Sequence, residues 1–182
     1  MVELTGYHGT SKDNGRKILD SREFLPSGSF VDWLGRGVYF FENDKHQAYM
    51  FIKFKNTHNI LEHSNICVIQ SLLKSKDDNY LDLLCDDDRK FLRDYSREIV
   101  KHIEQKKNEI GDWKHKEGFI LDFLYNSGNE YDWVKAAYMV PRKQPDGTLE
   151  YLPIQIQICV KNVECINKES IREVDCDAYR KV

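Results

Sequence analysis

Apolar positions cluster at both ends of the chain in short runs, and these runs predict β-strands. The runs are rich in β-branched and aromatic residues and are bounded by Gly, Pro, Asn, Asp or Ser. The predicted strands are 2–8, 38–41, 66–73, 80–84, 133–140 and 151–161, the last two separated by a polar turn at 144–147. Within the final strand, strict alternation places Gln155 and Gln157 on one face and the isoleucines between and beside them on the other.

Apolar residues at three- and four-residue spacing predict helices in the middle of the chain. Leu92, Tyr95, Ile99 and Ile103 form a single stripe, and three aspartates at 86–88 place negative charge at the positive end of that helix. Shorter helices are predicted through Ile18 and Leu19, from the Asn43-Asp44 cap to about Phe54, and through Phe119, Phe123 and Leu124. The sequence therefore predicts an α+β fold.

The length and composition narrow the class of protein. The 182 residues are 41% hydrophobic and show no linker, so we expect one folded domain over residues 1–182 rather than a disordered chain. The net charge of −3 argues against generic coating of nucleic acid, which needs a positive balance. Neither a signal peptide nor a membrane-spanning apolar run is visible, and we expect a cytoplasmic protein without membrane partners.

The five cysteines are an odd number, are widely spread and form no C-x-x-C pair. They are Cys67, Cys85, Cys159, Cys165 and Cys176. This pattern disfavours a disulfide framework and a structural zinc site, so we expect buried thiols that pack as small apolar groups, and no metal.

Three short segments draw attention as candidate chemistry. They are His8-Gly9-Thr10 at a strand end, the Gly35–Phe40 segment that leads into a second strand, and Gln155-Ile156-Gln157 in a late strand. Taken singly, each has an ordinary structural explanation: a hydrogen-bonded histidine, a turn before an aromatic core strand, and exposed polar residues.

Taken together and in this order, the segments resemble the NAD-binding core of the ADP-ribosyltransferase superfamily, in the diphtheria-toxin-like and poly(ADP-ribose) polymerase branch. In that branch a strand ends in His-Gly-Ser/Thr before a helix with an Ile-Leu pair, and a Gly-x-Gly-Ile/Val-Tyr-Phe strand follows; Ile18-Leu19 and Tyr39-Phe40 match. Ala48 lies nine residues after Tyr39, as in the family. The stretch from 55 to 130 is matched only by its order of elements. The resemblance implies a split pair of antiparallel β-sheets around an NAD cleft, with flanking helices.

The resemblance also implies roles for individual residues. His8, Tyr39 and Gln157 stand where the family has its catalytic His, Tyr and Glu, and we expect all three to converge on one cleft. The cofactor-binding residues that it implies are His8, Gly9, Thr10, Ser27, Tyr39 and, as the second ring-stacking position on the following helix, Tyr49 or Met50. Arg36 is a candidate for the pyrophosphate, with an exposed surface arginine as the alternative. Gln155, two residues before Gln157, is expected to influence the choice of acceptor.

The departure from the family pattern is Gln157 itself. An amide can hold a ribose hydroxyl, but it cannot take a proton or supply a full charge, so chain elongation is not expected. Glu42 and Glu150 are the alternative carboxylates, each with a solvent-facing role as the ordinary explanation.

The sequence thus favours an NAD-dependent transferase that moves mono-ADP-ribose onto a macromolecular target, protein or nucleic acid, in the manner of a bacterial or phage toxin, effector or defence factor. The alternative is a catalytically silent module that binds NAD or ADP-ribose. RNA 2′-phosphotransferase chemistry, which shares the fold, ranks last, because no Arg/His cluster for a phosphate surrounds the motifs.

Overall fold

The fold is described from a computed structural model that covers residues 1–27, 32–54, 61–76, 79–104, 116–139, 141–143, 146–151 and 153–179. For residues 100–104, 116, 141–143 and 149–151 only the backbone is described. The strands in these ranges are β1 (Val2–Ser11), β2 (Val38–Glu42), β3 (Ile66–Ser75), β4 (Leu81–Asp82), β5 (Trp133–Tyr138), β6 (Pro141–Lys143), β7 (Leu149–Tyr151), β8 (Gln155–Val160) and β9 (Arg172–Glu173). The α-helices are α1 (Lys12–Ser21), α2 (Lys45–Phe54), α3 (Asp86–Glu104) and α4 (Lys116–Asn126), and short 3-10 helices lie at His63–Asn65, Val163–Cys165, Lys168–Ser170 and Asp177–Tyr179.

Seven of the strands form one mixed sheet in the order β4-β5-β8-β2-β1-β3-β9, and β6 pairs with β7 in a separate two-stranded ribbon. The β4–β5 pair is parallel and the other neighbouring pairs are antiparallel. The α+β class predicted from the sequence is confirmed.

The expectation of two separate sheets needs a correction, because β1 and β2 join the two halves of the sheet. Their pairing covers Gly6↔Glu42 and Tyr7↔Phe41, whereas β1 and β3 pair along their whole ten-residue length. The result is a continuous seven-stranded sheet whose halves meet at a two-residue connection. The predicted strand at 151–161 is also divided, since β7 belongs to the ribbon and Pro153, which lacks an N–H, separates it from β8.

Local capping explains where the first two helices begin. The Ser11 hydroxyl accepts a hydrogen bond from the backbone N–H of Asn14 at 3.4 Å, which caps α1. The Asp44 carboxylate accepts one from the backbone N–H of Gln47 at 2.9 Å, which caps α2. Both capping residues lie directly before helices that the sequence predicts.

The two faces of the seven-stranded sheet carry different cores. The face that bears Phe40 and Ile158, here called the α1 face, packs against Ile18 of α1. The opposite face bears Phe41 and Cys159 and is called the α2 face. On that face α2 packs over β1 and β3, while α3 and α4 pack over β4, β5 and β8.

Candidate functional site

The strand register brings two of the predicted site residues to one face. Phe41 of β2 lies directly opposite both Tyr7 of β1 and Gln157 of β8, and Tyr39 lies opposite Cys159. Since directly opposed residues on antiparallel strands project to the same side, Tyr39 and Gln157 both belong to the α2 face.

Gln157 lies at the boundary between the two helical layers of the α2 face. Its neighbour on one side is Phe41, which packs with α2, and its neighbour on the other is Ala136, which packs with α3 and α4. We call this boundary the central groove, with Gln157 as its floor, α2 on one side and α4 on the other. Gln157 is 7% exposed, so its side chain is almost completely covered.

A chain of three glutamine side chains crosses the central groove. The Gln157 amide nitrogen Nε2 donates to Oε1 of Gln155 at 3.3 Å, and Nε2 of Gln155 donates to Oε1 of Gln47 at 3.1 Å. Gln47 comes from the first turn of α2, where Asp44 holds its backbone, and it is 8% exposed. Sequence reasoning missed Gln47, because its partner is 108 residues away in the chain. This amide chain is neutral and almost buried.

The backbone of Gly9 is directed toward the place where β1 and β2 separate. The carbonyl of Thr5 accepts a hydrogen bond from Asn43 N–H at 3.0 Å, so odd-numbered residues of β1 present their N–H and C=O to β2. Gly9 follows Tyr7, the last β1 residue in register with β2. A Cβ at position 9 would lie 2.0 Å from the carbonyl oxygen of Ala48, so only glycine allows α2 to approach this closely.

Tyr39 serves as a hydrogen-bonding anchor for the segment 32–36. Its hydroxyl donates to the carbonyl of Gly35 at 2.7 Å and accepts from the backbone N–H of Leu34 at 2.9 Å. Burial, together with the nearby Cys159 thiol, raises the pKa of Tyr39 far above its usual range. The phenol is therefore neutral, and its hydroxyl is engaged by the segment 32–36.

A buried ion pair holds the same segment against α4. The Lys161 ammonium donates to the carbonyls of Leu34 and Arg36 at 2.8 Å each and to the Asp122 carboxylate at 2.7 Å. The Lys161 side chain is 2% exposed and that of Asp122 is 11% exposed. Asp122 also accepts from the backbone N–H of Arg36 at 2.9 Å. We call this arrangement the lysine clamp. Arg36 itself lies 3.6 Å from Asp122 through its guanidinium, so the candidate for the pyrophosphate belongs to the clamp.

The clamped segment places Trp33 over the end of β5. The rings of Trp33 and Tyr138 lie 4.4 Å apart between centroids, with an interplanar angle of 53°. Tyr138 lies directly opposite Gln155 on β8, so this aromatic pair stands beside the amide chain. Burial and the neighbouring Glu117 carboxylate raise the pKa of Tyr138, and burial also raises the pKa of Glu117. Trp33, Tyr138 and Glu117 are thus features of this side of the groove that sequence reasoning did not identify.

His8 lies on the other face of the sheet, which corrects the expectation that His8, Tyr39 and Gln157 line one cleft. As the residue after Tyr7 it projects to the α1 face, where its ring packs edge-on against Phe24 at 5.4 Å. Its Nδ1 lies 2.8 Å from the backbone carbonyl of Tyr39. His8 therefore contacts β2 from the α1 face, at the point where β1 and β2 separate.

Of two other predicted NAD contacts, Thr10 lies away from the groove and Ser27 is bonded within the protein. Thr10 is 8% exposed and belongs to the α1 face, close to α1. The Ser27 hydroxyl donates to the Asp32 carboxylate, and its backbone N–H donates to the Gly37 carbonyl at 2.8 Å. The order of the motifs predicts that these residues contact NAD. The order does not determine the direction in which a side chain projects.

Both candidates for the second stacking position, Tyr49 and Met50, pack against the core under α2. Tyr49 is completely buried and its hydroxyl lies 2.9 Å from Nδ1 of His63, so it belongs to the core under α2. Met50 is half-buried against the same core. Phe51, one turn after Gln47 on α2, is 42% exposed and packs against Phe41 at 5.6 Å. The helical period would have indicated Phe51 once Gln47 was known to face the groove.

Glu42, the alternative carboxylate whose side chain is described, does not take the place of the missing glutamate. Glu42 belongs to the α1 face and lies 3.6 Å from Nζ of Lys135, which also pairs with Asp82 at 3.0 Å. Burial lowers the pKa of Lys135, but the hydrogen bond that Lys135 donates to Asp82 and the charge of Glu42 outweigh it and raise the pKa overall. Its side chain is 14% exposed, so Glu42 is committed to a nearly buried ion pair. The Glu150 side chain lies outside the described part of the chain.

Other site predictions have simple outcomes. Cys67, Cys159 and Cys165 are buried, as expected, whereas Cys85 is exposed and Cys176 is intermediate. Burial raises the pKa of the Cys159 thiol to about 12. Among the described side chains we find no group of three or more His, Cys, Asp and Glu residues arranged to hold a metal ion.

The helices were also compared with the dimensions of a membrane. In the described ranges, every helix is either too short or too polar to cross a bilayer.

The groove is separate from a pocket of about 240 Å³ on the α1 face. That pocket is lined by Phe24, Ile166 and the charged residues Arg22 and Lys168, among others. The Lys168 ammonium lies 3.3 Å from the Glu23 carboxylate, so the charges at this pocket are balanced.

Comparison with known proteins identifies a distant relative. The chain is similar to the uncharacterized protein MJ0359 of Methanocaldococcus jannaschii, with 27% identity over 188 aligned positions that cover 92% of this chain and 86% of that protein. No family model matches the chain. No solved structure matches it either. The similarity extends over nearly the whole of both proteins, and the description of the relative names no activity.

Proposed function

We propose that this chain binds NAD at the central groove and transfers a single ADP-ribose to a macromolecular target. The observation that carries the proposal is the common location of Gly9, Tyr39 and Gln157. All three lie where β1 and β2 separate, on or directed toward the α2 face. These are the positions that resemble the nicotinamide site of the ADP-ribosyltransferase superfamily.

The groove offers hydrogen-bonding and apolar groups that suit the planar, carboxamide-bearing nicotinamide ring. The Gly9 N–H and C=O, which point toward β2 beyond its last pair with β1, are a donor and an acceptor for a carboxamide. The Tyr39 and Phe51 rings offer apolar faces for stacking beside a developing positive charge on the sugar. The amides of Gln155 and Gln157 supply neutral hydrogen-bonding groups at the ribose.

The transfer breaks the bond between the ribose C1′ and the nicotinamide nitrogen and forms a bond from C1′ to an acceptor atom. The bonding electrons leave with nicotinamide, which is released as a neutral base. Because Gln157 cannot take the acceptor's proton, the target has to bring a nucleophile with its own base. We therefore propose one ADP-ribose per site and no chain elongation.

The experiment is incubation of folded protein with NAD labelled in the ADP-ribose part and a cell lysate, followed by separation of protein, RNA and DNA. We expect nicotinamide release and label in one macromolecular fraction. Gln157→Glu is expected to increase turnover, because a carboxylate adds charge stabilisation and a base. Gln157→Ala is expected to lower transfer by about 10²-fold if the amide orients the sugar in the transition state.

Gln70 provides the matched control for these variants. It lies opposite Tyr7 on β3, on the α2 face but outside the groove, and accepts from the Arg172 guanidinium at 3.2 Å. Gln70→Ala is expected to leave transfer unchanged. Full activity of Gln157→Ala, or equal losses in Gln157→Ala and Gln70→Ala, would contradict the assignment of Gln157.

Gln155 is proposed to affect the acceptor more than NAD. It lies about 7 Å along the strand from Gln157, by the rise of two residues. Gln155→Ala is expected to leave NAD hydrolysis largely intact and to reduce transfer to the native target. A parallel loss of both activities would place Gln155 at the nicotinamide site instead.

A second candidate function is a silent module that binds NAD or ADP-ribose by recognition. It is favoured by the fact that Gln47, Gln155 and Gln157 are all amides and hold one another. In the same experiment, this candidate predicts saturable NAD binding with no nicotinamide release by the wild type or by Gln157→Glu.

A further inference from the structure

The amide chain has a direction, and that direction determines what Gln157 offers to a ligand. Each amide donates through Nε2 to the oxygen of the next: Gln157 to Gln155, and Gln155 to Gln47. The NH₂ group of Gln157 is therefore engaged inside the chain. Its carbonyl oxygen takes no part in the amide chain, so it is the acceptor that Gln157 has left for the groove.

Gln47 is the last acceptor of the amide chain, and it is the member whose backbone is held by a helix cap. Its backbone is fixed by the Asp44 cap in the first turn of α2, and its side chain is 8% exposed. Gln155 is half-buried on β8 and depends on its two neighbours for its orientation. An amide that lost its acceptor at Gln47 would be free to rotate by 180° and exchange its oxygen with its NH₂ group.

We propose that Gln47 is a positioning residue that acts through Gln155 to hold the Gln157 carbonyl oxygen toward the ligand. The groove then presents a hydrogen-bond acceptor where the resembled family has a carboxylate, but without its charge. The ligand group that fits is a donor, such as a sugar hydroxyl. This inference rests on the proposed function for the identity of the ligand, whereas the orientation of the amides is independent of it.

Two substitutions distinguish a role of Gln47 in orienting the amides from a role in packing. Gln47→Glu keeps an acceptor for Gln155 and the size of the side chain, so the direction of the chain is retained. Gln47→Met keeps the approximate size and removes the acceptor. A purely steric role would make Gln47→Met the milder change, and a role in orientation makes Gln47→Glu the milder change.

The first measurement uses the ¹⁵N-labelled protein without ligand. The side-chain NH₂ resonances of Gln155 and Gln157 are assigned by their loss in Gln155→Met and Gln157→Met. We expect both pairs to exchange slowly with solvent in the wild type and in Gln47→Glu. In Gln47→Met both pairs should shift and exchange at least several-fold faster. Equal spectra for the two variants, or faster exchange in Gln47→Glu than in Gln47→Met, would overturn the orientation.

The second measurement uses NAD and an NAD analogue with fluorine in place of the 2′-hydroxyl of the nicotinamide ribose. Fluorine cannot donate, so the wild type should bind NAD about five- to tenfold more tightly than the analogue. Gln47→Glu should keep this ratio even if its charge weakens both ligands, and in Gln47→Met the ratio should fall toward one.

The failures of the two proposals are distinguishable. A wild type that binds neither ligand overturns the proposed function and the ligand part of this inference, while the NH₂ spectra still decide the orientation. A wild type that binds both ligands equally, with the expected spectra, leaves the proposed function standing and overturns the claim that Gln157 accepts from a ribose hydroxyl.

Discussion

The lysine clamp and the amide chain lie on the same face of the sheet and are built in opposite ways. In the clamp, the three donors of the Lys161 ammonium meet three acceptors: two carbonyls and the Asp122 carboxylate. In the amide chain the bonds are longer, at 3.1 and 3.3 Å, the groups are neutral, and each end retains hydrogen-bonding capacity.

The two clusters differ in how completely their hydrogen-bonding groups are satisfied within the protein. A charge that is 2% exposed must have all its hydrogen bonds satisfied within the protein, because desolvation costs several kcal/mol per ion. Such a group has nothing left to offer a ligand. Neutral amides cost less to bury, so they can remain partly satisfied at a groove that a ligand completes. The contrast gives the clamp a structural role and is consistent with the recognition that we propose for the amide chain.

The largest expected effect comes from breaking the clamp. Lys161→Met leaves Asp122 and two carbonyls without the ammonium, and we expect a loss of about 3–5 kcal/mol in the free energy of unfolding, measured by urea denaturation. Lys168→Met is the matched control, because Lys168 pairs with Glu23 at an exposed site and should lose less than about 1 kcal/mol. Similar losses of unfolding free energy in Lys161→Met and Lys168→Met would contradict a structural role for the lysine clamp.

A much smaller effect on stability is expected from breaking the amide chain. Gln155→Met removes two neutral, partly buried hydrogen bonds, and water entering the groove can replace them. We expect the free energy of unfolding to fall by about 1 kcal/mol or less in the same urea experiment. A loss comparable to that of Lys161→Met would mean that the amide chain is scaffold as well, and the contrast between the two clusters would fail.

The sequence predicts elements well where local chemistry decides them. The Asp44 cap of α2 and the aspartate-rich start of α3 both lie within a few residues of the helices that they stabilise. The alternation in β8 correctly places Gln155 and Gln157 on one face, opposite Ile158. These features need only periodicity and capping.

The parts of the site that sequence reasoning missed depend on pairing between distant strands. His8 was placed with Tyr39 and Gln157, but the register of Tyr7 with Phe41 sends His8 to the other face, and alternation within one strand does not reveal that register. Lys161 is the last residue of the strand predicted at 151–161, and its buried partner Asp122 comes from a helix 39 residues earlier, so local sequence does not indicate the pair. Gln47 likewise gains its role from β8.

The most direct test of the account is a titration of the ¹⁵N-labelled protein with NAD, followed in ¹H–¹⁵N spectra. We predict that the side-chain NH₂ resonances of Gln47, Gln155 and Gln157 shift most, and that the backbone amide of Arg36, which donates to Asp122 of the clamp, shifts little. Saturating NAD that leaves the three glutamine amides unmoved, or that shifts the residues around the Arg22 and Lys168 pocket instead, would contradict the assignment of the central groove as the binding site.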